Sequence, residues 1–215
     1  MFSIKEPVNS ITHLIGAILS AAGLTWMIVK SILHQNPLQL TSALIFGISL
    51  ILLYSASSIY HAVKSSPHVE NILRRIDHSM IFVLIAGTYT PICLLALPRP
   101  LGPVLLAVLW SLTVAGIFFR VFFLNAPRWL YTSFYVLMGW LAIFFILPIY
   151  RNIAIQGFLL LWIGGIFYTV GALIYARKPA WMTFPNFGFH EIFHLFILAG
   201  SLAHFIMISR YLLIA

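Results

Sequence analysis

The sequence predicts an all-α integral membrane protein, one domain of seven transmembrane helices spanning residues 1–215. Three observations carry that prediction. Of the 215 residues, 62% are apolar and only 7% charged, where a soluble domain carries about 25% charged residues; the mean hydropathy is +1.04. The apolar residues gather into seven runs, each near the roughly 20 residues that a helix needs to cross a hydrocarbon core. Prolines with polar or charged neighbours separate most of the runs, and such pairs stop helices and prefer water.

The first run covers about 9–33. It resembles a secretory leader, but its apolar character continues through Trp26, Met27, Ile28 and Val29, and polar Asn9, Thr12 and His13 sit early in it. An uncleaved first span is the expectation. Asn36-Pro37 then ends one helix and opens a span over 38–63. The third span is expected at 77–97, opened by Asp77 and closed by Pro98-Arg99-Pro100. The fourth, 102–124, ends at Asn125-Ala126-Pro127. The fifth, 130–150, is divided from the sixth, 153–175, by Arg151-Asn152, a break marked mainly by charge. Arg177-Lys178-Pro179 ends the sixth, and the seventh covers 189–213.

Charge sets the orientation. The N-terminal side receives Lys5, Lys64, Arg74, Arg75, Arg120, Arg128, Arg177 and Lys178, eight of the twelve basic residues; Lys30, Arg99, Arg151 and Arg210 fall opposite. Cytoplasmic loops are the Lys/Arg-rich ones, so the N-terminus is expected in the cytoplasm and the C-terminus outside. The formal charge of +8 is scattered between apolar runs, which fits membrane anchoring and excludes a basic stripe for nucleic acid. Trp129, Tyr131, Tyr150, Tyr175 and Trp181 suit the interfacial aromatic belts. The single cysteine, Cys93, lies inside an apolar run and reads as a packed thiol.

The scarce polar groups share one membrane depth on this map. Glu6, Glu70, Asp77 and Glu191 all fall towards the cytoplasmic side, as do His13, His61, His190 and His194. Ionisable groups inside spans are costly and face the bundle interior or a wet cavity. His190 and His194, four residues apart in HEIFH, lie about 40° apart on one helix face. The segment is a literal match to the H-E-x-x-H pattern of zinc peptidases, yet it opens an apolar run. Ser57 and His61 repeat the spacing on the second span, and Glu6, Asn9 and His13 form a polar stripe on the first. Three histidines and a water make a usual catalytic zinc site; His61, His190 and His194 are the best triple. Asp77 is placed to orient that water or accept its proton. His204 lies about 15 Å deeper by helical rise and reads as an interhelical hydrogen-bond donor. His34 and His68 read as loop residues. His78 points about 100° away from Asp77 and reads as structural.

Glu6-x-x-Asn9-x-x-x-His13, Ser57-x-x-x-His61, DHSMIFVLIAGTYTP from Asp77, YVLMGW from Tyr135 and HEIFHLFILAGSLAHF from His190 together resemble the bacterial hemolysin III proteins. These belong with the progestin and adipoQ receptor family and are more distantly similar to alkaline ceramidases. The first span begins close to residue 1, which favours the bacterial branch and a place in the bacterial inner membrane. The resemblance implies Zn²⁺ near the cytoplasmic face, held by His61, His190 and His194, with Asp77 reaching it through water and Ser57 supporting the site. Relatives of the adiponectin-receptor type lack an acid between the two histidines, so Glu191 is not required as the general base.

Three functions compete at this point. One is a zinc-dependent hydrolase of a lipid amide or ester held between the helices, with Asp77 and Ser57 as its catalytic groups. Another is a receptor-like regulator of membrane lipid state in which zinc is a structural clasp. The last is a pore-forming cytolysin, which the family's name suggests and little in the sequence supports. In all three the partners are membrane lipids and not nucleic acid, and the oligomeric state stays open.

Overall fold

A computed structural model describes residues 4–123, 126–182, 184 and 187–214. Among these residues, seven helices are long and apolar enough to cross a membrane. Among the described residues there is no strand, only an isolated bridge between Phe184 and Phe187.

Local sequence explains most of the boundaries. α1 (Pro7–Leu33) and α2 (Pro37–Ala62) both begin with a proline, which lacks only an N–H that the first turn would leave unpaired. The Asn36 side chain accepts from the N–H groups of Leu38 and Gln39, capping α2. α3 begins at Pro67, ten residues before the Asp77 start expected from hydropathy, and runs to Pro91 before continuing as a π-helical turn over Ile92–Ala96. Hydropathy marks the hydrocarbon layer, whereas Ser66-Pro67 marks the helix: Ser66 caps it by accepting from Val69 N–H, so Glu70, Arg74 and Arg75 lie on a polar extension of the span. Asp77 is therefore three turns inside α3, and His68 is in its first turn and not in a loop. α4 (Leu101–Phe122) follows; Asn125 of the expected next break lies outside the described residues.

The fifth span is broken in the middle. α5 (Arg128–Gly139) passes into a 3₁₀ segment, Trp140–Phe145, and then α6 (Ile146–Asn152). The Tyr89 hydroxyl causes the break: it donates to the Gly139 carbonyl at 2.6 Å and accepts from Ala142 N–H at 2.7 Å. A side chain inserted into the ladder replaces the i→i−4 bonding there. α7 (Ile155–Arg177) stops at Lys178, whose φ of 46° is left-handed and which precedes Pro179. α8 (Phe189–Met207) completes the bundle and ends in a π-helical turn, Ile208–Leu212.

Packing in the order α1, α2, α3, α5, α7, α8 and back to α1 makes a closed ring, with α4 outside against α3. A cavity of about 180 Å³ lies inside that ring and extends from His13, His61's neighbour Ser57, and His194 down to Ile92 and His204. Most of its wall is apolar, with polar groups such as Asp77, His78, Tyr175 and His204 set into it. Close helix approach depends on glycine at two points: a Cβ at Gly164 would run into the His204 ring, and one at Gly116 into Phe82. Cys93 is buried in the core. Trp129, Tyr150 and Trp181 lie outward and exposed, as belt residues should. Tyr131 and Tyr175 do not: both are buried inside the bundle, so their belt assignment is corrected.

Candidate metal centre

α2 delivers His61 from its last turn, and α8 delivers His190 and His194 from its first two. One ligand-capable nitrogen from each ring lies within 4.8 Å of the others. The rings meet edge to face, with centroids of His61 5.0 Å from His190 and 4.9 Å from His194. His61 and His194 are only 1% and 2% exposed. Spacing on one helix put two of these imidazoles together; the third arrives through packing.

Hydrogen bonding tests whether this donor set suits a cation. Glu6 Oε2 is 2.6 Å from His61 Nδ1. The carboxylate accepts, so Nδ1 carries a proton, which in the neutral imidazole leaves the lone pair on Nε2. That Nε2 is buried and has no protein partner, and the same is true of His194 Nδ1. Buried polar atoms nearly always find a partner, so unpartnered nitrogens on two rings of a cluster whose ligand-capable atoms lie within 4.8 Å of one another fit a metal ion. A carboxylate behind a ligating imidazole is the usual support for it. The bond to His61 in turn holds the Glu6 carboxyl down at about 2, against the opposing effect of burial.

The remainder of the α1 stripe secures the site. Asn9 Nδ2 donates to Glu6 at 3.1 Å and to Glu191 Oε1 at 2.7 Å. Glu191 Oε2 accepts from Gly188 N–H at 2.7 Å and so caps α8. Both Glu191 oxygens are thus engaged in joining α1 to the start of α8. The backbone N–H groups of Lys5 and Glu6 donate to the carbonyls of Ala62 and His61, clamping the N-terminal segment to α2. The His13 ring stacks on His194 at 3.7 Å and 7° between planes. His13 stood in a polar stripe without a role; it forms the floor beneath the His194 ring.

Asp77 is 8% exposed. It stands outside the three-histidine cluster but lines the same cavity as His190 and His194, with the Ser57 hydroxyl beside it. His204 donates from Nε2 to the Leu161 carbonyl on α7 at 3.3 Å, deep in the bundle and apart from the cluster.

A second buried group was missed by the sequence reading. Arg120, on α4, is 2% exposed. Its Nε donates to His78 Nδ1 at 3.1 Å and its Nη2 makes a still shorter contact with the same atom. The guanidinium lies over the Tyr131 ring at 4.3 Å. The one signal was a lone charge in the run LTVAGIFFRVFF, which reads equally well as an anchor at a span end.

Comparisons with known proteins bear on this arrangement. The sequence model of a family described as Haemolysin-III related matches residues 2–205. The chain is 42% identical over 212 residues to the Hemolysin-3 homolog of Bacillus subtilis (strain 168), covering 98% of this chain and 96% of that protein. It is also 42% identical over 209 residues to Hemolysin-3 of Bacillus cereus, covering 97% and 92%. A more distant likeness, 24% over 175 residues and covering 80% and 70%, links it to the Monocyte to macrophage differentiation factor of Homo sapiens.

Proposed function

The chain belongs to the haemolysin-III-related family of multi-pass bacterial membrane proteins, and on that premise we propose that it is a zinc-dependent hydrolase of lipid amide or ester bonds. The observation that carries this reading is the position of the histidine cluster: His190 and His194, clustered with His61, line one end of a mostly apolar cavity whose adjoining wall holds the Asp77 carboxylate and the Ser57 hydroxyl.

His61, His190 and His194 would hold the ion, near the cytoplasmic face. When bound, zinc supplies Lewis acidity and brings the pKa of water towards about 7. Asp77 would accept a proton at its carboxylate and return it to the departing amine or alcohol. Ser57, beside Asp77, would orient that carboxylate by donating its hydroxyl proton to it. Glu6 would fix the His61 tautomer. Glu191 has no proton-transfer role in this scheme, because both its oxygens already accept hydrogen bonds. The cavity of about 180 Å³ is close to the ~150 Å³ that admits a benzene ring. It has room for the segment of a lipid around its linkage and not for the whole molecule.

The test pairs zinc analysis with turnover. The purified wild type should hold zinc and cleave a member of a panel of long-chain N-acyl and O-acyl lipids. Asp77→Asn should keep the zinc and lose cleavage. Zinc retention with no cleavage anywhere in the panel defeats the hydrolase.

One observation favours a second reading. The ligands come from α2 and α8, and α1 packs against both. An ion there would join those two helices directly, as a structural clasp of a lipid-state regulator would. In that case zinc removal lowers thermal stability, and Asp77→Asn changes nothing measurable.

A further inference from the structure

Outside the histidine cluster, the cavity wall contains a hydrogen-bond chain whose direction is set by chemistry. Arginine donates through every N–H and accepts nothing. Arg120 Nε and Nη2 both contact His78 Nδ1, so that nitrogen bears the lone pair and the imidazole proton sits on Nε2. His78 Nε2 lies 3.4 Å from the Tyr175 hydroxyl; the oxygen accepts there, and the hydroxyl's own proton remains to be donated. Tyr175 is 8% exposed and lines the cavity together with His78, Asp77 and His190. Its ring packs edge-on against His190 at 5.6 Å. The Arg128 guanidinium covers its face at 4.4 Å, and Tyr135 donates to the His78 carbonyl at 3.0 Å, holding the backbone of α3 at that point. Five side chains from four helices therefore fix one phenol beside the candidate metal ligands.

We infer that Tyr175 is the donor that receives the carbonyl oxygen of the lipid segment in this cavity, aimed by the Arg120–His78 pair. This rests on the reading of the cavity as a site for an acyl lipid and deepens it. Every amide or ester has a carbonyl oxygen that accepts and cannot donate, and the cavity wall here is apolar apart from a few groups. A donor with a preset proton distinguishes an acyl linkage from a hydrocarbon chain. His78 and Arg120 are positioning residues: they act through the phenol. Tyr131 is within hydrogen-bonding reach of the same hydroxyl and competes for its proton.

The experiment uses the zinc-loaded full chain in lipid nanodiscs and two probes, a long-chain methyl ketone and the alkane of equal length. The ketone keeps the carbonyl and cannot be hydrolysed. The wild type should prefer the ketone, and Tyr175→Phe should reduce that preference about fivefold, the worth of one hydrogen bond, with zinc content unchanged. His78→Asn retains an acceptor for Arg120 but is too short to reach Tyr175. It should lower the preference to a similar degree alone and not at all in the Tyr175→Phe background. Tyr131→Phe should leave the preference intact or raise it. An unchanged ketone preference in Tyr175→Phe overturns the inference, and so does loss of zinc from that variant. If the wild type itself fails to prefer the ketone, the acyl-lipid reading of the cavity falls, which is a separate outcome from failure of the donor assignment.

Discussion

Two histidine environments adjoin one cavity, and they differ in where the ring nitrogens go. At the α1–α2–α8 corner, His61 gives one nitrogen to Glu6, and its other nitrogen, like Nδ1 of His194, is buried with no protein partner. At the α3–α4–α7 corner, both nitrogens of His78 have partners, Arg120 on one side and Tyr175 on the other. Burial is similar in the two places. The difference lies in partners and neighbours together: the unpartnered nitrogens of His61 and His194 belong to a cluster of three rings within metal-binding reach of one another, whereas both His78 nitrogens are engaged by protein groups. Depth in the membrane does not separate them.

The strongest way to break this comparison is to remove a nitrogen from each corner. His61→Ala and His194→Ala should each reduce bound zinc from about one ion per chain to below about a tenth, as read by metal analysis of purified protein, whereas His78→Asn should retain it. Equal zinc in all three would end the distinction. Stripping zinc with a chelator should lower the melting temperature of the wild type and not of His194→Ala; at free zinc a thousandfold above Kd the linkage is worth about 4 kcal/mol.

Smaller effects sharpen the contrast. Glu6→Gln removes the carboxylate behind His61 and should weaken zinc about 10–100-fold in competition with a chromophoric chelator. Arg120→Met breaks charge-assisted bonds to His78 and should destabilise the bundle by about 2 kcal/mol in a denaturant titration, with zinc affinity unmoved. Glu191→Gln should cost about 1 kcal/mol through its cap and its bond from Asn9, again without zinc loss. A large drop in zinc or turnover on that substitution would return Glu191 to the chemistry.

Much of the bundle was legible because a bilayer imposes a simple rule on composition and length. The breaks at Asn36-Pro37 and Arg177-Lys178-Pro179 follow from proline and charge. The start of α3 was missed because hydropathy stops at the polar Glu70–Arg75 stretch while the helix continues to its cap at Ser66. The interruption of the fifth span was invisible, since it depends on Tyr89, some fifty residues earlier, reaching its backbone. Tyr175 was read as a belt residue because its place near a span end gives its depth but not which way it faces.

The sequence alone determined the class of the protein, its seven crossings, and the pairing of His190 with His194, because periodicity and apolar length act locally. It also offered His61 and Asp77 as candidates by depth. Tertiary structure decided which nitrogens are free. Whether Glu191 caps or catalyses, whether His13 binds or stacks, and whether Arg120 anchors or orients all depend on partners dozens to nearly two hundred residues away. A hydrogen bond is set by ångström distances between groups that chain order does not bring together, and those bonds assign each polar side chain its part.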